Sequence, residues 1–73
     1  MERIAFIGKA CARAALIVHS NNEERLRAGP SSAFFSCLRI ELGRDPTTDE
    51  LTVFVAAYRK ALDEALPSNG AAF

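Results

Sequence analysis

The chain predicts an all-α fold: a small bundle of two long helices joined by a short helical middle segment, paired as a dimer. Three observations carry that expectation. Apolar residues recur at steps of three and four over residues 47–66, the spacing of one helix face. The same stepping recurs over residues 2–19. And 49% of only 73 residues are hydrophobic, more than so short a chain encloses easily, so association is the expected outlet and a symmetric dimer its commonest form.

The element over 47–66, TTDELTVFVAAYRKALDEAL, is the best specified. Leu51, Phe54, Tyr58, Ala61 and Ala65 share a face, widened by Val55 and Leu62. Pro46 precedes Thr47, and Thr47-x-x-Glu50 has the form of a capping box, each end side chain accepting from the other's backbone N–H. Asp49 and Glu50 lie where the helix dipole favours anions, and Pro67 closes the far end. A helix of about 19 residues is close to 30 Å long.

Residues 2–19 place Ile4, Ile7, Cys11, Ala14 and Val18 on one stripe, with Gly8 and Ala15 beside it. The polar side is thin (Glu2, Lys9, Arg13, Ser20), and Phe6 and Leu16 project toward it, which suggests a second contact face. The run 19–22 ends the periodicity. Its Ser and Asn residues suit a turn or cap, so a short helix over about 22–28, stopped by Gly29 and Pro30, is the expectation; the alternative is one bent helix over 2–28. Residues 31–42 read in two ways. A helix puts Phe35, Leu38 and Leu42 on one face and Ala33, Cys37 and Ile40 on the other; a strand alternates Leu38, Ile40 and Leu42 with Arg39 and Glu41. Gly43 as C-cap, a serine at the start and the lack of a second strand favour the helix, and its two apolar sides predict that it is sandwiched. The two long helices are expected to lie antiparallel. Residues 1–67 form the single domain, and 68–73 a flexible tail.

The formal charge is zero, nine basic against nine acidic residues, which argues against a dedicated nucleic-acid binder. The first 21 residues carry two more cations than anions and the last 27 the reverse, a small bias toward packing the end helices together. Two cysteines make no disulfide framework, so a cytoplasmic setting is expected. No apolar tract approaches the length of a membrane span, and Lys9 and Arg13 interrupt what would be the core of a signal peptide.

Chemistry is sparse. Cys11, His19 and Cys37 are too few and scattered for zinc. A Cys37–His19 nucleophile pair is weaker than the alternative, in which both cysteines are small buried hydrophobes and His19 caps helix carbonyls. No metal, cofactor or enzymatic activity is expected. A helix-turn-helix outline exists over 22–42, the basis of the alternative reading as a DNA-binding transcriptional regulator. Its second helix offers only Arg39 and Glu41 to a duplex, and a core helix is favoured. Lys60 is expected to pair with Glu64 on a solvated face. The residues expected at a protein interface are Phe6, Arg13, Leu16, Arg39, Arg44, Val53 and Arg59: apolar groups beyond the two stripes, and cations open to an acidic partner.

Residues 42–51, LGRDPTTDEL, resemble the start of a middle region of bacterial sigma factors, where a Gly-Arg-x-Pro-Thr phrase precedes a helix opened by Glu-Leu. That family's pattern continues into a short helix and a glycine turn, whereas here TVFVAAYRKAL runs on unbroken. The likeness implies shared capping chemistry and transfers no functional residue. In size and want of catalytic groups, the chain resembles the small accessory proteins of phages and mobile elements that bind and redirect a host protein. The expected function is therefore a small non-enzymatic regulatory or inhibitory protein acting by protein–protein binding, to itself and to an unidentified partner, with nucleic acid and membrane not among its partners.

Overall fold

The computed structural model describes residues 1–20 and 22–66. All regular structure among them is helical: α1 (Glu2–Val18), α2 (Glu23–Arg27), α3 (Ser32–Leu42) and α4 (Thr48–Ala65). The expected flexible tail lies outside the described residues.

Each helix end follows from local chemistry. The break after α1 is a tight turn in which the Asn22 N–H donates to the His19 carbonyl at 2.9 Å. The Asn22 side chain then accepts from the Arg25 N–H at 3.0 Å, capping α2 as a separate helix. Gly29, at φ 109°, follows the Ala28 cap and turns the chain out of α2. Residues 31–42 are helix, not strand. Gly43 takes the left-handed conformation at φ 71°, and its N–H donates to the Arg39 and Ile40 carbonyls.

At the start of α4 the capping box forms as expected. Glu50 N–H donates to Thr47 Oγ1 at 3.1 Å, and Thr47 N–H to Glu50 Oε1 at 2.8 Å. Arg44 adds a fork, Nη1 to Oε1 at 2.8 Å and Nη2 to Oε2 at 2.7 Å, on a carboxylate whose side chain is 12% exposed. The Arg44 bond, then the Thr47 N–H, hold the Glu50 carboxyl at about 2, against an ordinary 4.5. A folded-state value below the unfolded one means the unfolded chain takes up this proton first. The contribution of Glu50 is thus complete above about pH 4.5 and lost as pH falls toward 2. Thermal melts should show the midpoint dropping across that window, and Glu50→Gln should flatten the drop. An equal acid slope in the variant would exclude Glu50 as its source.

The core joins Ile4, Cys11, Ala12 and Ala15 of α1 to Leu26, Leu38, and Phe54, Tyr58 and Leu62 of α4. In α4 the buried seam is Glu50, Phe54, Tyr58 and Leu62, close to the expected stripe, although Ala65 is exposed. In α1 the seam is turned relative to expectation. Gly8 and Ala15 sit inside it, Ile7 and Ala14 flank it, and Val18 is exposed. Small residues admit the α4 backbone more closely than branched ones, so the close contact is centred on them. Phe35 packs on Phe54 with ring centroids 5.4 Å apart, and Phe34 on Tyr58 at 6.2 Å, which seats α3 over this pair.

Contacts at the two ends set the direction of the long helices. Arg3, at the start of α1, donates to the Glu41 carbonyl at 2.9 Å; three residues on, Arg44 grips Glu50 at the start of α4. At the other end, α2 follows the tight turn after α1, and its Arg27 donates to Asp63, late in α4, at 3.1 Å. An antiparallel α4 would leave Asp63 about 20 Å from the end of α1, at 1.5 Å of rise per residue. The expected antiparallel pairing is therefore corrected: α1 and α4 run parallel, because the middle segment is itself a returning pass. The sandwiching of α3 also needs correction. Phe34, Phe35, Leu38 and Leu42 pack inward, whereas Ala33, Cys37 and Ile40 are exposed.

Candidate protein-interaction surfaces

With the core filled, several large apolar side chains remain outside. On α1, Phe6 is 69% and Ile17 80% exposed. Phe6, Ala10, Arg13 and Ile17 are separated by four, three and four residues, so they form one ridge on the side away from Ile4, Gly8, Cys11 and Ala15. A second contact face on α1 was expected from Phe6 and Leu16. The structure puts Leu16 half-buried against the core, and Ile17 takes its place on the outer ridge. On α3, Ile40 is 78% exposed beside Cys37 and Ala33. A shallow groove also runs between the two long helices, lined by Glu2, Ala5, Phe6 and Lys9 from α1 and by Ala57, Lys60, Ala61 and Glu64 from α4.

The expected interface residues do not converge on one patch. Phe6 and Arg13 are exposed on the α1 ridge, while Leu16 and Val53 pack against the core. Arg44 is engaged by Glu50 and by the Asp45 carbonyl at 3.1 Å. Arg39 donates to Ser36 Oγ at 3.1 Å in a surface cleft with Ile40 and Arg44. Arg59 is exposed beside the Gly29 turn, in a cleft with Arg27, Leu62 and Asp63. Ile17 and Ile40 are not among the expected interface residues. Ile17 stands eleven residues after Phe6, a helical repeat visible in the chain, whereas the exposure of Ile40 depends on how α3 is seated.

Polar groups on these surfaces are mostly accounted for. Arg3 pairs with Glu41, and Arg27 with Glu23 and Asp63. The expected Lys60–Glu64 pair does not form; among the described residues the i,i+4 ion pair is Glu23–Arg27. His19 stands at the end of α1 as expected, but its backbone N–H, donating to the Ala15 carbonyl at 2.7 Å, makes the cap. The helix-turn-helix outline materialises as α2 and α3; outward, α3 presents Ala33, Cys37 and Ile40, and its exposed charges Arg39 and Glu41 are engaged by Ser36 and Arg3, a face poor in free base-reading donors and acceptors.

The two cysteines differ, contrary to the expectation that both are buried: Cys11 is enclosed and Cys37 exposed. Position 37 lies on the uncovered side of α3, which sequence neighbours alone made look apolar on all sides. Burial, then the neighbouring Cys37, pushes the Cys11 thiol up. Iodoacetamide on the native protein should therefore modify Cys37 and spare Cys11 until denaturant is added, read by peptide mass spectrometry. Equal labelling of both in the native state would contradict this packing of α1.

No cluster of three or more metal-binding side chains occurs among the described residues, and no helix there is long and apolar enough to cross a membrane. Compared with protein-family models, curated proteins and solved structures, the chain matches none.

Proposed function

We propose that this chain is a small non-enzymatic regulatory or inhibitory protein that acts by binding another protein, itself working as a homodimer. The observation that carries the reading is the α1 ridge. A helix that already supplies Ile4, Cys11, Ala12 and Ala15 to the core also presents Phe6 and Ile17 outward at helical spacing. One exposed apolar residue is ordinary; a second stripe on a helix whose first is buried is the form of a binding face, with aromatic and arginine groups as its anchors. Phe6 and Arg13 fill those roles. A small accessory protein of a phage or mobile element, redirecting a host protein, is the setting that fits such a chain.

The test is a comparative pull-down from the source cells with tagged parent and an Arg13→Glu/Ile17→Ser variant, changed on the part of the ridge away from Phe6, read by mass spectrometry. A protein retained by the parent and lost with the variant, both folded by circular dichroism, supports the reading. Identical captures overturn it. Retention on DNA that weakens steeply with salt would instead favour the transcriptional-regulator alternative.

A further inference from the structure

The groove between α1 and α4 has its own composition. Its floor is Ala5, Ala57 and Ala61, and Phe6 stands exposed at its edge. Four charges rim it, Glu2 and Lys9 from α1, Lys60 and Glu64 from α4. None has an ion-pair partner among the described residues, whereas Arg3, Arg27 and Arg44 all do. Two acids and two bases leave the rim neutral, so a strongly acidic or basic partner would meet repulsion from half of it.

Glu2, Ala5, Phe6 and Lys9 stand at i, i+3, i+4 and i+7, the repeat of a helix–helix seam. If two copies of α1 met in parallel along this seam, Glu2 would face Glu2 and Lys9 would face Lys9. Turning one copy end for end, about a two-fold axis between Ala5 and Phe6, removes both clashes. Glu2 then faces the partner's Lys9, Phe6 lies on the partner's Ala5, and the exposed Met1 meets the partner's Ala10. The same four residues serve both sides, which is what an isologous interface requires.

We infer that the Glu2–Ala5–Phe6–Lys9 seam, with the alanine floor from α4, is a self-association surface, and that its occupant is α1 of a second copy, antiparallel to the first. The inference deepens the homodimer in the proposed function by assigning its surface. It is tested on purified protein alone, so its failure is distinct from failure to capture another protein. Four side chains per copy form the α1–α1 seam, a short contact for which dimerisation is expected to depend on concentration.

Sedimentation equilibrium across a wide concentration series reads the outcome. The parent should move from monomer to dimer, and Phe6→Asp should raise the dissociation constant by roughly thirtyfold or more, the size of a lost hot spot. Phe6→Ala, which retains helix propensity, stands in if the aspartate variant fails to fold. Lys9→Glu should weaken the dimer by setting acids against acids, and the double variant Glu2→Lys/Lys9→Glu should restore it. A parent that stays monomeric throughout, a dimer indifferent to Phe6 substitution, or a double variant as weak as the single would each overturn the inference.

Discussion

Phe54→Ala should remove a large share of the protein's folding stability at 25 °C. Phe54 is fully buried, lies 5.4 Å from the Phe35 ring, and stands where α4 meets Gly8 of α1. Three helices lose their shared filler at once. Truncating a buried phenylalanine to alanine costs about 3–5 kcal/mol. A domain of this length has about 4–11 kcal/mol of stability in all, taken at 0.05–0.15 kcal/mol per residue. Urea titration followed by far-ultraviolet circular dichroism measures the loss. Val53→Ala, at a half-buried neighbour, serves as the comparison and should cost clearly less. Equal effects at the two positions would mean that the core is not centred on Phe54.

Gly8→Val should also destabilise the protein, against the usual sign for removing a glycine from a helix interior. In an open helix, glycine is about 1 kcal/mol worse than alanine, so replacing it normally helps. Here an added Cβ would lie 2.6 Å from the Phe54 carbonyl oxygen and 3.0 Å from the Ala57 Cβ. The first of these is backbone and cannot swing aside, so α1 and α4 must separate. Forcing extra carbon into a packed interface costs about 1–3 kcal/mol. The smaller change Gly8→Ala meets the same carbonyl, with the propensity gain opposing it, and should cost less. Ala10→Gly, on the exposed side of the same helix, is the control for propensity alone and should cost about 1 kcal/mol. A Gly8→Val variant with a higher urea midpoint than the parent would show that the helices do not touch there.

Both effects arise where short-range signals and long-range packing meet. The Thr47–Glu50 box and the Gly43 terminus were legible because each depends on groups within a few residues of the backbone they satisfy, whereas the choice between one bent helix over 2–28 and two helices was decided by the Asn22 cap in the structure. The Phe54–Tyr58–Leu62 seam was legible because helical spacing marks it. The α1 seam was misplaced by a fraction of a turn, since periodicity weights bulky residues, while the actual contact was centred on Gly8, Ala12 and Ala15. Of the interface candidates, Phe6 and Arg13 were found on the outer ridge. From the sequence Arg44 reads as a free cation, because nothing local announces that a side chain six residues before Glu50 will close on it.

The amino-acid order by itself determined that the chain is mainly helical, where α3 would end and α4 begin, and which face of α4 is buried, because these depend on backbone hydrogen bonds and spacing within one element. Only the tertiary structure decided that α1 and α4 run parallel, that Gly8 rather than a branched residue marks their close contact, and that Ile17, Cys37 and Ile40 stay outside. A helix's own sequence records how much apolar surface it has. Which part of that surface a neighbour covers depends on the path of the chain between them, and here that path includes a full returning helix.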